Sequence, residues 1–362
     1  MAEADRGGGR GDPRARPGDH RLISPDDARE TLTPAGPAGV ELSGVGSGRT
    51  GGPATNATDR RVAELVVLVV MVFWAGNFIV VKGAVGIVPP IAFTFLRYVL
   101  ASVTLLLLLR WREGPIRLPR GDIARIAVLG SVGFGCYQVI WPVALQTIPA
   151  GDSALLIATT PVITALLAVA MGLDAPNPVK LIGAMISFVG VALVIAAGQG
   201  LNLGVSLVGD LLTLVAALCW ALYTVFGADV LRRHSPLTAT TWAIVAGTLF
   251  MAPFGLAQLA TVDISLFGPA VLLAIIYAGT LAAGVSNVIV FHGLKLLGPT
   301  RVTAFQFLVP ALAVILAAVF LGEAIRPVQV IGGVVILAGV ALLRRGSWPR
   351  GLGMLAPGRR AP

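Results

Sequence analysis

Ten long apolar stretches follow one another along this chain, separated by short connections that carry Gly, Pro or charge. Each is close to the ~20 residues with which an α-helix crosses the hydrocarbon core of a bilayer. The strands of a membrane barrel would alternate apolar and polar residues, and these stretches do not. The pattern therefore predicts an all-α polytopic membrane protein with ten transmembrane helices, at 62–81, 90–109, 123–146, 151–173, 179–197, 208–228, 236–257, 269–294, 299–321 and 327–344.

The apolar region contains an internal sequence repeat. Pro161 and Gln138 recur 149 residues later as Pro310 and Asn287, and Trp74 recurs 146 residues later as Trp220. We predict two five-helix repeats, at 62–197 and 208–345. Because each repeat has an odd number of spans, the second must insert upside down relative to the first. Transporters built from such inverted repeats bind their solute at the repeat interface.

Charge is scarce between the tails and sets the predicted orientation. The chain is 56% hydrophobic and 12% charged, with a net charge of +9. Lys and Arg concentrate in alternate short loops and beside both tails, which by the positive-inside rule predicts cytoplasmic termini in the inner (plasma) membrane. The polar segment 1–58 predicts a disordered tail, and 346–362 a short basic one. We attribute the positive charge to these loops and not to nucleic-acid binding, and nothing in the pattern fixes an oligomeric state.

The sequence gives no sign of catalytic or metal chemistry. Cys136 and Cys219 are isolated within apolar stretches, and the three histidines are scattered. Neither spacing fits a metal site or a disulfide framework. We therefore expect no enzyme activity, no metal and no cofactor, and take a lipid bilayer and a small-molecule solute as the partners.

A series of short motifs, in their order along the chain, resembles the EamA family of the drug/metabolite transporter superfamily. Over about 62–345 they are Trp74-Ala75-Gly76-Asn77-Phe78, Pro90, Phe95-Leu96-Arg97, Thr160-Pro161, Gly209-Asp210, Trp220-Ala221-Leu222-Tyr223, Leu308-Val309-Pro310 and Leu321-Gly322-Glu323. The resemblance implies ten helices in two EamA units that move small organic solutes, often outward. The repeats have diverged: Arg97 falls on Ala243 in the second copy.

Arg97 is the sharpest candidate for solute binding. It lies about 12 Å into its span at 1.5 Å per residue, where a charge is costly and faces a cavity or the bundle interior. Its planar guanidinium suits a carboxylate or phosphate; the alternative is a structural brace. Lys82 is a second candidate, at the mouth of the site, with snorkelling to the interface as the alternative.

Polar and aromatic residues at matched depths complete the candidate site. Residues three apart share a helix face, which pairs Trp74 with Asn77 and Trp220 with Tyr223. Such a face could hold a flat organic solute, or provide ordinary helix packing. The remaining candidates for substrate binding are Tyr137, Gln138, Asn287 and Gln306, and the candidate hinges are Pro161 and Pro310.

These observations favour a secondary transporter that moves small organic metabolites by alternating access. Arg97 favours amino acids and other carboxylate-bearing solutes, whereas a cavity lined by the tryptophans would suit amphipathic cations. The resemblance favours export. A membrane receptor or scaffold that binds a ligand without moving it is the alternative. Vectorial flux would distinguish the two.

Overall fold

The computed structural model describes residues 57–114, 120–198, 203–297 and 299–346, which form helices joined by short turns, with no strand among them. The α-helices are α1 (Ala57–Val85), α2 (Pro90–Arg112), α3 (Arg120–Gly130), α4 (Tyr137–Thr147), α5 (Ala150–Ile157), α6 (Thr160–Ala170), α7 (Pro178–Gly198), α8 (Leu203–Arg233), α9 (Pro236–Leu259), α10 (Pro269–Ile276), α11 (Ser286–Leu297), α12 (Pro299–Gln306), α13 (Leu308–Leu321) and α14 (Pro327–Gly346).

Ten stretches within the described residues are long and apolar enough to span a membrane, which confirms the predicted fold class. The single helices α1, α2, α7, α8, α9 and α14 form six of these spans. The third, fourth, eighth and ninth spans are each built from two helices: α3 with α4, α5 with α6, α10 with α11, and α12 with α13. A helix satisfies its own backbone groups, which a bilayer core cannot do.

Local signals set where the helices begin and end. Proline occupies the first turn of α2, α9 and α10, where its missing N–H costs no hydrogen bond. The Ser235 hydroxyl caps α9 by accepting from the Thr238 amide at 3.0 Å. Gly322 ends α13 with φ of 67°, a left-handed conformation that favours glycine.

The irregular spans occur at equivalent places in the two repeats. The third span contains a π-helical segment at Ser131–Cys136, and the eighth contains one at Tyr277–Val285. The fourth and ninth spans are broken in their interiors, between α5 and α6 and between α12 and α13. Such π-helical segments occur frequently at functional sites. Interrupted helices are tolerated within a membrane where they line a cavity or are buried in protein.

The repeats are inverted, as α7 and α14 show directly. A Cβ on Gly183 would lie 2.7 Å from the Gly339 carbonyl oxygen, and one on Gly190 would lie 2.7 Å from that of Gly332. The order of the two contacts makes these equivalent helices antiparallel. Glycines at these positions let the two backbones approach closely.

Large apolar side chains cover the lipid-facing surface and also fill the interior. Leu107, Leu249 and Val319 are exposed, whereas Phe93, Trp141 and Met251 are buried. The predicted tail at 1–58 lies outside the described residues except for Ala57 and Thr58, which belong to α1. The tail at 346–362 lies outside them except for Gly346, the last residue of α14.

Candidate functional site

A cavity of about 210 Å³ lies between the two repeats. Every span except the fifth contributes to its lining, so neither repeat could form it alone. Eight of the ten residues predicted to bind substrate line it, and so do both predicted hinges: Trp74, Asn77, Arg97, Tyr137, Gln138, Trp220, Asn287, Gln306, Pro161 and Pro310.

Arg97 lies on α2, only 2% exposed, and its guanidinium reaches the cavity. It donates to Asn77 Oδ1 at 3.3 Å and to Gln138 Oε1. Its Nε has no hydrogen-bond partner in the described part of the chain. A guanidinium has five N–H donors, so the two amides leave donor capacity for a further acceptor.

Aromatic rings form the walls around this charge. The Arg97 guanidinium carbon lies 5.2 Å from the ring centroid of Tyr98 and 5.7 Å from that of Trp141. Tyr137 stacks on Trp141 with centroids 6.1 Å apart and planes 10° apart, and its centroid lies 5.7 Å from that of Trp220. The π-faces of the rings favour a cation beside them, which stabilises the buried guanidinium.

Trp74 and Asn287 bond to backbone carbonyls of the eighth span. Trp74 Nε1 donates to the Ala282 oxygen at 3.1 Å, and Asn287 Nδ2 donates to the Ala283 oxygen at 2.6 Å. Both carbonyls belong to the π-helical segment, where the ordinary helical ladder is interrupted. Asn287 is therefore not equivalent in role to Gln138, which bonds to Arg97.

The predicted hinges lie beside short interruptions of their helices, at Ala158, Thr159 and Phe307, which keep right-handed helical backbone angles. Pro161 is in the first turn of α6, and Pro310 is the third residue of α13. The Thr160 hydroxyl donates to the Ile157 oxygen at 2.6 Å and so caps the end of α5. Gln306 ends α12 with 8% exposure, and neither atom of its side-chain amide has a hydrogen-bond partner among the described residues.

Two predicted substrate-binding residues do not line the cavity. Lys82 Nζ donates to the carbonyl oxygens of Leu145 and Ile148, at 2.5 and 2.9 Å, because the last carbonyls of a helix lack intrahelical partners. Tyr223 packs against Phe134, with ring centroids 5.1 Å apart. Three residues advance a helix by about 300°, so Tyr223 points about 60° away from Trp220.

Sequence reasoning missed Trp141 and Arg344. Trp141 lines the cavity, and its Nε1 donates to Ser153 Oγ at 3.0 Å. Its signal was available, because it lies one helical turn beyond Tyr137. Arg344, the last residue of the tenth span, also lines the cavity, with its guanidinium carbon 4.9 Å from the Phe307 ring centroid.

Side chains close one end of the bundle, which we name the Lys82 end. There the Glu323 carboxylate accepts from the amides of Ala150 and Gly151, at 2.7 and 3.1 Å. Gln329 Nε2 donates to Asp152 Oδ1 at 2.6 Å. These residues and Lys82 lie outside the cavity lining, whereas Arg344, at the opposite end of the tenth span, lies within it. The cavity lining therefore extends to the Arg344 end and does not reach the side chains that bond to one another at the Lys82 end.

Comparison with known proteins identifies relatives of this chain. The model of the EamA-like transporter family matches residues 61–196 and 207–345. An uncharacterized transporter of Archaeoglobus fulgidus is 30% identical over 77% of this chain and 96% of its own. A "probable terminal-alkyne amino-acid exporter" of Streptantibioticus cattleyicolor is 29% identical over 82% and 98%. The threonine/homoserine exporter RhtA of Escherichia coli K12 is 26% identical over 76% and 88%.

A crystal structure gives the same fold at lower identity. It aligns with a TM-score of 0.55 and 20% identity, over 78% of this chain and 98% of its own. This likeness supports the fold alone.

Proposed function

The chain belongs to the EamA-like transporter family, and on that premise we propose that it exports small organic metabolites by alternating access. The solutes we have in mind are amino acids and other carboxylate-bearing compounds. The observation that carries the proposal is the cavity between inverted repeats, whose lining reaches Arg344 and does not include the hydrogen-bonded residues of the Lys82 end. Inverted repeats that rock about such a site expose it to each side of the membrane in turn.

The orientation of the chain supports export. The positive-inside rule assigns both termini, and with them the Arg344 end, to the cytoplasm. In this orientation the cavity would accept solute from the cytoplasm while the Lys82 end keeps the outside closed. Two of the relatives are named as exporters of amino-acid compounds.

The polar groups of the cavity support a solute with a carboxylate. Arg97 offers a buried charge with an unpartnered Nε, and Gln306 offers an unpartnered amide. Apolar walls with a few convergent polar groups are typical of small-molecule sites. A site of about 210 Å³ is below the ~300 Å³ at the small end of drug-sized pockets, which favours small metabolites.

The test is solute flux in liposomes that contain the purified protein. Liposomes preloaded with unlabelled amino acids, organic acids, nucleosides or cationic drugs would be diluted into the labelled solute, and its uptake by exchange recorded. We expect saturable exchange of at least one solute, reduced in Arg97→Gln and retained in Arg125→Gln. The control changes an arginine on the surface that pairs with Asp229.

Saturable binding without flux across the panel would contradict transport and favour the receptor alternative. The same protein should be tested for binding in parallel, by thermal stabilisation, since a ligand that binds the native state raises its stability by mass action.

A further inference from the structure

We infer that the cavity selects organic anions, meaning an aromatic or similarly flat body with a carboxylate, and does not require the ammonium group of an amino acid. This inference rests on the proposed function and narrows its substrate class. It follows from which charges, donors and acceptors remain available on the cavity wall.

The charge of the cavity wall is positive. Arg97 and Arg344 both line it, and no Asp or Glu does so among the residues that the structure describes. The buried carboxylates of Asp152 and Asp210 lie outside this lining. The buried Arg97 donates to two neutral amides and to no carboxylate in the described part of the chain. A buried charge without an opposite partner is costly, so a net negative solute complements Arg97 better than a zwitterion or a cation.

Two hydrogen-bond acceptors of the wall already contact a positive charge. Asn77 Oδ1 and Gln138 Oε1 both accept from Arg97, so the groups that these amides can still offer include their NH₂ donors. A third acceptor, Gln306 Oε1, has no partner among the described residues. An ammonium group at Asn77 or Gln138 would lie beside the guanidinium, and the repulsion between two like charges is costly.

Backbone carbonyls of the lining also accept hydrogen bonds. The carbonyl oxygens of Ile157, Ala282 and Ala283 accept from the side chains of Thr160, Trp74 and Asn287. At the end of α5, free carbonyls could otherwise have bound a cation, as in discontinuous helices of other transporters. The hydroxyl cap at Ile157 weakens that option.

The helix breaks add donor character to the wall. α6 and α13 both begin beside the cavity, and the first turn of a helix carries a partial positive charge. Gln306, which directly precedes the break before α13, is more than nine-tenths buried and has an unpartnered side-chain amide. Its Nε2 is a neutral donor, which adds to the unpartnered Nε of Arg97.

The rest of the wall fits a flat apolar body. Trp74, Tyr137 and Trp220 line the cavity together with Trp141. The cavity volume of about 210 Å³ is below the ~300 Å³ at the small end of drug-sized pockets. That space suits a single aromatic ring with a short acidic side chain.

Three probes that share a phenyl ring and a two-carbon chain test the inference. They are 3-phenylpropionate, phenylalanine and phenethylamine, which carry the carboxylate alone, both charged groups and the ammonium alone. Binding to purified protein would be measured by quenching of tryptophan fluorescence. We expect 3-phenylpropionate to bind about tenfold tighter than phenylalanine, since an unpaired ammonium is costly to bury, and phenethylamine to bind weakest.

Gln138→Glu provides the matched variant. It places a carboxylate beside the Arg97 guanidinium that Gln138 now contacts, and so should compete with an anionic probe. We expect 3-phenylpropionate to lose at least about tenfold in affinity, which one new unfavourable charge contact can account for, and phenethylamine to gain. Arg97→Lys keeps the positive charge but removes the planar guanidinium with its several N–H donors. It serves as the second variant should Gln138→Glu fail to fold.

Tighter binding of phenylalanine or phenethylamine than of 3-phenylpropionate to the unmodified protein would overturn the inference, as would binding of none of the three. Equal loss of all three probes in the variants would also overturn it. These binding results do not test whether the protein transports solutes, because the liposome flux measurements test transport with a separate panel of solutes.

Discussion

The hydroxyl groups of Ser102 and Thr248 lie 2.9 Å apart in the buried interface between α2 and α9. The two residues are 146 positions apart in sequence, the offset that relates the repeats in this region. Ser187 and the Ile336 carbonyl, 149 positions apart, meet at 3.0 Å between α7 and α14. Equivalent residues can contact each other only at the axis that relates them. Both contacts therefore mark the approximate two-fold axis of the molecule.

Replacing Gly183 by alanine should destabilise the α7–α14 contact. The new Cβ would lie 2.7 Å from both the Gly339 oxygen and the Leu343 nitrogen, which are backbone atoms that cannot rotate away. Overpacking of this kind costs about 1–3 kcal/mol. Thermal unfolding of the purified variant should show a lowered midpoint.

Gly83→Ala is the control for that measurement, because a Cβ there would meet no atom within 4 Å. It should leave the midpoint unchanged or slightly raised, by the helix propensity of alanine. Equal midpoints for the two variants would mean that the close approach of α7 and α14 contributes little.

Glu323→Gln should open the Lys82 end. One amide N–H of the new side chain would face the N–H of Ala150 or Gly151, where the carboxylate now accepts both bonds. With Cys136 and Cys219 replaced by alanine, Ala154→Cys places a thiol in the cavity wall. A membrane-impermeant maleimide added outside should label it several times faster in the Glu323→Gln background.

Asp263→Asn tests whether that effect is specific. Asp263 lies in the turn between the seventh and eighth spans and accepts from the Ser265 amide at 2.9 Å. By the predicted topology this turn also faces outside. Labelling at the same rate in Glu323→Gln and in Asp263→Asn would exclude Glu323 as part of an outer closure.

Pro161→Ala should slow transport without weakening binding. Proline cannot donate to the carbonyl four residues earlier, here that of Ile157, and alanine would restore that donor. A more continuous fourth span would resist the change of shape that exposes the site to the other side. Flux should fall several-fold while solute affinity stays within about twofold, a difference of ~0.4 kcal/mol.

Pro253→Ala is the matched variant, because Pro253 lies inside α9 and outside the cavity lining. A similar loss of flux in both variants would assign the effect to helix stiffness in general. An unchanged flux in Pro161→Ala would remove this proline as a hinge.

Trp220→Leu and Tyr223→Leu should separate binding from packing. Trp220 lines the cavity, so we expect its loss to weaken solute binding about tenfold, near the upper value of an aromatic contact. Tyr223 packs against Phe134 and the backbone of Gly133. Its loss should lower the thermal midpoint and leave affinity nearly unchanged. The reverse result would place Tyr223, and not Trp220, at the solute.

Most of the candidate site could be predicted because depth along a span follows from residue number. Arg97, Gln138 and Asn287 lie in the interiors of their spans, and all three line the cavity. Lys82 lies outside the lining because depth does not say which carbonyl lies opposite a side chain. Tyr223 lies outside it because a shared helix face is wide, and the ring of Phe134 lies against Tyr223. Whether either residue binds solute stays a prediction.

The amino-acid sequence by itself determined the ten spans and the inversion of the repeats. Both follow from local requirements: each span must be apolar and about 20 residues long to cross a bilayer, and five spans reverse the direction of insertion. Only the tertiary structure decided which polar groups find partners. Arg97 bonds to two amides that come from different spans, and Gln306 is left with none among the described residues. Such pairings depend on distances between spans that no local pattern encodes, and these distances decide which polar groups of the cavity wall remain available to a solute.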